Sequence, residues 1–299
     1  MATSTTYNRA FWNAMRGKKE NYLSMGEGYD DAGAYTAPDE FRVNFTAALA
    51  KENLFRRLAT VVNLSSAEGT IQAVSSTGTA DWVTAGNSIP ESTDTFTQFS
   101  VKSYKLSSLA RLNNSFIGDM SFDLEKYLTG DFSKRFGRAE ENALISGNGT
   151  TKPTGILTAN TAVTTANSST ISFDEVISLY FSLEAEYRKN AVFLMHDNTA
   201  MLLRTLKDTR GSYLWNDSDN TIFGKPVVTS PYMPTVATGA KSIAFGDLSY
   251  YWLIERQPLT IKCLSELYAL QEQIGFSAYE RLDGKLIQLD AVKILKMKA

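Results

Sequence analysis

The chain has 299 residues, 43% hydrophobic and 21% charged, with 30 basic and 32 acidic side chains and a net charge of -2. That is the balance of one large or two small globular domains; it excludes disorder and fibrous structure, and it argues against a strong sequence-independent grip on nucleic acid. The single Cys263 and single His196 exclude an internal disulfide framework and a Cys/His zinc site, and the lack of a long apolar run or a leader-like start predicts a soluble protein of a reducing cytoplasm.

The first 37 residues carry cations early (Arg9, Arg16, Lys18, Lys19) and carboxylates later, with a short amphipathic piece around Phe11 and Met15. They read equally as an extended arm or a frayed terminus. A helix is expected from Pro38. Thr36 and Asp39 make a capping box, Pro38 suits the first helical position, and Phe41, Phe45, Leu49, Leu54 and Leu58 fit one apolar stripe. From Leu58 to Val101 there is no Lys or Arg, only Glu68, Asp81, Glu91 and Asp94 among many Ser and Thr. Strand-prone pieces at 70–74 and 95–101 flank this stretch, which predicts a long two-stranded excursion. A lone hairpin has too little core to stand in water, so it either folds back or rests on another subunit.

Asp119 to Ile145 is the clearest helix, with Leu124, Leu128, Phe132, Phe136, Ala139 and Ala143 on one face and Lys126, Lys134, Arg138 and Glu141 on the other. Gly130 and Gly137 weaken it, which predicts a bend or a tight backbone approach. Gly147-Asn148-Gly149 reads as a left-handed glycine stop. Ser172 and Glu175 form another capping box, Ala191 to Met195 a buried strand, and Asp197 the cap of a helix carrying Met201, Leu202, Leu203 and Leu206. Strands are expected at 226–229, 250–254, 259–263, 274–279 and 286–295. Mixed helices and strands with long connections give an α+β fold.

Little in this pattern is catalytic. Gly147 to Lys152 follows a helix and Lys152 precedes Pro153, so it is not a phosphate loop. His196 falls at a strand-to-helix turn beside Asp197 and reads as a turn residue satisfying its own backbone. Glu140 and Glu141 are adjacent on a helix, point apart and read as a solvated face. No cofactor or metal site is expected, and a hydrolase using His196 is the least favoured reading.

The ordered motifs resemble the major capsid proteins of tailed bacteriophages, with the shell fold named for the phage Hong Kong ninety-seven. The resemblance is carried by 35–41 (YTAPDEF), 53–59 (NLFRRLA), Asp81-Trp82-Val83, Tyr104-Lys105-Leu106, 147–150 (GNGT) with 153–157 (PTGIL), Leu206-Lys207-Asp208, 224–227 (GKPV) and Phe245-Gly246-Asp247. It implies an N-terminal arm (1–37), a peripheral domain (38–63, 109–171 and 279–299, with the long spine helix), an extended loop (64–108) and an axial domain (172–278). It further implies pentamers and hexamers closing an icosahedral shell around double-stranded DNA, bound without sequence specificity. Scaffold, protease, portal and decoration proteins would be partners, no membrane would be involved, and assembly would take place in the host cytoplasm. An encapsulin-type compartment shell is the alternative within the fold. The inter-subunit contacts expected are Glu68, Asp81, Trp82, Glu91 and Asp94 on the loop, against Lys134, Arg135 and Arg138 on a neighbour's spine helix.

Some relatives cross-link subunits through a loop Lys, a neighbour's Asn and a Glu. The positions resembling the last two are Gln273 and Glu280, but the loop offers no Lys between Arg57 and Lys102. The resemblance therefore implies a shell without covalent joints.

Overall fold

The computed structural model describes residues 5–16, 38–64, 69–76, 80–84, 88, 91–93, 95–119, 122–207, 210–215 and 220–299. Helix α1 (Thr5–Met15) turns the Phe11 and Met15 piece into a docked element: Ala10, Phe11, Ala14 and Met15 are buried, and the Trp12 ring meets Phe41 edge-on at 5.3 Å. Helix α2 (Asp39–Glu52) buries Phe41, Phe45 and Leu49, one face at a four-residue period. Pro38 is its N-cap, not its first helical residue, and no side chain caps it; Thr36 lies outside the described residues. The expected stripe splits here. Asn53 is extended, so Leu54 and the short α3 (Phe55–Leu58) turn into a different core.

Strand β1 (Thr60–Asn63) leads to an antiparallel pair, β2 (Gly69–Ser76) and β3 (Thr95–Val101), which forms a sheet of its own. Then come β4 (Tyr104–Asn113), the short α4 (Asn114–Gly118) and the long α5 (Leu124–Ser146). Asp123 caps α5 by accepting the Lys126 N–H at 3.0 Å. Its far end departs from expectation: Gly147 has φ -65° and is extended, not left-handed. Glycine is needed there because a Cβ would stand 2.0 Å from the Pro153 carbonyl oxygen; the left-handed residue is Gly149, at φ +67°.

The remainder comprises β5 (Asn160–Thr164), α6 (Phe173–Ser182), α7 (Ala185–Arg188), β6 (Val192–Met195), α8 (Asp197–Arg204), β7 (Thr221–Ile222), β8 (Lys225–Thr229), β9 (Lys241–Gly246), β10 (Tyr251–Leu264), β11 (Gln273–Leu286) and β12 (Val292–Lys296). The Ser172–Glu175 capping box forms as expected. Helix α8 is capped by His196, not Asp197: the imidazole Nδ1 accepts the Asn198 N–H at 3.0 Å.

A four-stranded sheet, β1-β10-β11-β4, packs Ala110, Ile261, Phe276 and Ala278 against α1, α2 and α5. A six-stranded sheet, β5-β12-β9-β6-β8-β7, is covered on one face by α6 and α8 through Val176, Leu179, Leu203, Phe193 and Phe245. A third core joins the two through Phe55, Leu144, Ile145, Tyr251 and Ile294, so α5 starts in one core and ends in another.

The sheets cut across the expected division. The strands at 250–254 and 259–263 are one long strand with register shifts between Glu255 and Thr260, and β10 and β11 both pair with segments from the first part of the chain. The 286–295 run is broken, and β12 joins β9 and β5 in the six-stranded sheet. Residues 251–278 thus leave the unit assigned to 172–278, and the last strand enters it. Alternation marks a strand but not its partner, because pairing is set by distant backbone.

Candidate functional site

The charged surfaces expected to carry function lie on the hairpin and on α5. The hairpin pairs Gly69 with Val101 through Ser76 with Thr95 and, among the described residues, shares no strand pairing with the other sheets. Asp81 and Glu91 are exposed, Trp82 is fully exposed and Phe96 is 63% exposed; Glu68 and Asp94 lie outside the described residues. At its base the hairpin is clamped. Arg256 donates to the Val101 carbonyl at 3.2 Å, the Lys102 N–H donates to Asp283 at 2.8 Å, and Tyr104 and Lys102 both donate to the Gly149 carbonyl. These bonds tie the base of the hairpin to β10, β11 and the Gly149 turn.

On α5, Lys134, Arg135 and Arg138 are all exposed. Arg135 is occupied within the chain: it pairs with Asp131 at 3.0 Å and donates to the Leu109 carbonyl at 2.9 Å, fastening the edge strand β4 to the helix. Lys134 and Arg138 have no carboxylate partner among the described residues. Like charges four apart on a helix repel by about 0.2–0.5 kcal/mol, which an anion from outside would relieve.

The structure also assembles a group that residue types alone hid. Glu140 and Glu141, read as a solvated face, are both buried. They do point apart, but each into protein. Glu140 takes a two-pronged contact from the Arg56 guanidinium at 2.7 and 2.8 Å and accepts from Asn53 at 2.7 Å. Glu141 accepts the Leu54 N–H at 3.1 Å and the Ser230 hydroxyl. Arg56 also meets Glu255, and Glu280 at 3.8 Å. Three carboxylates around one guanidinium cannot all be charged cheaply in a buried site. Burial and the neighbouring Glu140 push Glu280 well above the usual carboxylate range. Burial acts on Glu140 too, but the Arg56 charge and its hydrogen bonds win and hold Glu140 below that range. A proton shared by this cluster is therefore favoured on Glu280 over Glu140. The only trace of this in the sequence was Arg56-Arg57 inside an otherwise apolar segment.

His196 spends Nδ1 on its helix cap. Burial pushes the Cys263 thiol up to about 11, away from thiolate reactivity. Among the described residues no group of three or more His, Cys, Asp or Glu could hold a metal ion, and no helix is long and apolar enough to cross a membrane. Sequence reading also missed a set of exposed apolar side chains on the six-stranded half: Phe181, Met201, Leu202, Tyr213 and Phe223. In helices Phe181, Met201 and Leu202 read as core, and Met201 and Leu202 directly precede the buried Leu203.

Residues 33–297 match the family described as "Phage capsid family". Among solved structures, the chain resembles the capsid of an empty GTA particle computed with C5 symmetry, at 29% identity and a TM-score of 0.73, covering 83% of this chain and 90% of that one. The capsid of the native GTA particle gives 29% identity and a TM-score of 0.70, covering 85% and 91%. A chain from Microbacterium phage Oxtober96 shares the fold at 18% identity and a TM-score of 0.61, covering 82% and 91%. A search of curated proteins found no match.

Proposed function

The chain belongs to the phage capsid family and is a major capsid protein, a structural subunit of the virion shell, and on that premise we propose that the 69–101 hairpin is the arm by which each copy holds the next. The observation that carries this is the hairpin's isolation. It has a clamped stem, a separate two-stranded sheet, exposed Trp82 and Phe96, and no cation to pair its own carboxylates. A two-stranded blade is marginal in water and gains its missing face from a neighbour. Its receiver is the Lys134 and Arg138 row of the neighbour's α5, with Asp81 and Glu91 opposite. Exposed pairs contribute roughly 0–1 kcal/mol each, so they set register, while apolar contacts through Trp82 and the axial side chains Phe181 and Met201 hold the copies together.

In this reading the copies form pentamers and hexamers that close an icosahedral head around double-stranded DNA. Assembly takes place in the host cytoplasm with scaffold, portal and decoration partners, and the chain performs no catalysis. The test is deletion of Ser75 to Ile89, with particle size read by light scattering and negative-stain microscopy and folding by circular dichroism. A folded chain that closes no particles is expected; normal particles would overturn the reading.

A further inference from the structure

We propose that the cavity between α2, β1 and β10 binds a carboxylate on one edge of the Arg256 guanidinium. The cavity has a volume of about 640 Å³, within the range of small-molecule sites. Its walls include Thr46 and Ala50 from α2, Val61 and Asn63 from β1, and Glu255 and Arg256 from β10. Arg256 reaches it through an irregularity of the strand. Across β11, Glu255 opposes Leu282 and Gln257 opposes Arg281, so Arg256 has no residue opposite it. It is the extra residue of a β-bulge, which re-aims a side chain out of the strand's alternation.

Only part of this guanidinium is used by the fold. Nη1 donates to the Val101 carbonyl at the hairpin stem, at 3.2 Å. Nε and Nη2 are buried and have no hydrogen-bond partner among the described residues. Arginine does not shed its proton, so two charged donors left unpaired are costly. The two share one edge of the planar group, the fork that meets both oxygens of a carboxylate in parallel. The neighbouring carboxylate is already engaged, because Glu255 meets Arg56. Three arginines line the cavity. Arg56 holds Glu140 and Arg42 holds Asp39, which leaves Arg256 without a carboxylate among the described residues. Arg256 as a whole is half-buried, so its free edge is approached from the cavity without opening the core.

A planar ligand with two oxygens satisfies both donors. A phosphate brings more oxygens and more charge, for which the cavity holds no second free guanidinium. A bound carboxylate would fix one edge of Arg256 while Val101 fixes the other, so occupancy braces the stem of the hairpin. A free small carboxylate and a carboxylate side chain of a second copy share this chemistry, and assembled particles tell them apart. The rival occupant is the chain's own Glu68, which adjoins Gly69, the strand partner of Val101.

The test titrates the soluble full-length chain with sodium acetate against sodium chloride at matched ionic strength, read by Tm and by calorimetry; this arm does not depend on the shell reading. Acetate should raise Tm saturably, as a ligand of the folded state does. Inorganic phosphate should bind at least about 10-fold more weakly. Arg256→Lys keeps the charge but loses the fork and should weaken acetate at least about 10-fold. Ala50→Leu fills the cavity, leaves Arg256 in place and should do the same, which covers the case in which Arg256→Lys fails to fold. Lys134→Gln/Arg138→Gln should match wild type. In assembled particles, retained acetate binding marks a free ligand, and lost binding marks a second copy's carboxylate on the same edge; either keeps the site. No saturable shift in the wild-type chain, phosphate binding as tight as acetate, or unchanged acetate binding in both cavity variants would overturn the proposal. Acetate binding by Glu68→Gln but not by wild type would also overturn it, by showing that Glu68 closes the edge.

Discussion

Arg56 is the residue on which the join between the sheet, α3 and α5 turns. Its side chain is 3% exposed and it neutralises Glu140 directly. Arg56→Met should cost about 3–5 kcal/mol in denaturant unfolding, because it strands buried carboxylates rather than because the ion pair is worth that much. Glu280 gives the opposite behaviour. Its folded-state affinity for a proton is raised, by burial first and Glu140 second. Below the usual carboxylate range folded and unfolded chains are both protonated there. As pH rises through that range the unfolded chain releases the proton while the folded chain keeps it, so stability falls with rising pH. Glu140 runs the other way: its contribution is present above the usual range and lost as pH falls through its depressed value. Glu280→Gln keeps the shape and a donor but removes the titration. Its Tm should exceed wild type at about pH 8, with the gap closing towards about pH 4. A gap that is constant across this range would show that Glu280 is ionised in the fold.

At the scale of elements, α5 shows why two glycines of equal propensity have unequal roles. A Cβ at Gly130 would meet nothing within 4 Å, whereas at Gly137 it would stand 2.8 Å from the Glu52 Cβ on α2. Gly130→Ala should therefore stabilise the protein by about 0.5–1 kcal/mol. Gly137→Ala should destabilise it by about 1–3 kcal/mol, because α2 must move away. Both are read by urea unfolding, and equal signs for the two would contradict this packing. The sequence predicted that a bend or a close approach would explain these glycines. The close approach is real at one of them, and nothing in the structure explains the other.

Across the whole molecule, a shell of these subunits is expected to be non-covalent. Gln273 and Glu280 are seven apart on β11, so they face opposite sides of the sheet. Gln273 donates to Asn113 at 2.9 Å, and Glu280 faces Arg56. Lys102, the first lysine after the hairpin, donates to the Gly149 carbonyl at the stem. Boiled particles should run on a denaturing gel as one band near 33.0 kDa. A ladder resistant to denaturant and reductant would require an amine donor reaching the neighbour from elsewhere.

The sequence by itself determined the elements whose cause is local. The α2 and α5 stripes repeat at helical spacing, the Ser172–Glu175 box needs only four residues, and the 69–101 hairpin announces itself by strand-prone ends around a cation-free centre. The ordered motifs carried the capsid resemblance for the same reason, being short and contiguous. Only the tertiary structure decided which sheet each late strand joins, since β11 and β12 have similar alternation and differ in the distant backbone that receives them. It also decided the fate of charges. Glu140 and Lys134 lie on one helix and are both charged types, yet one is enclosed against Arg56 and the other meets solvent. Burial depends on what a fold brings from far along the chain, and residue type states only what that burial will cost.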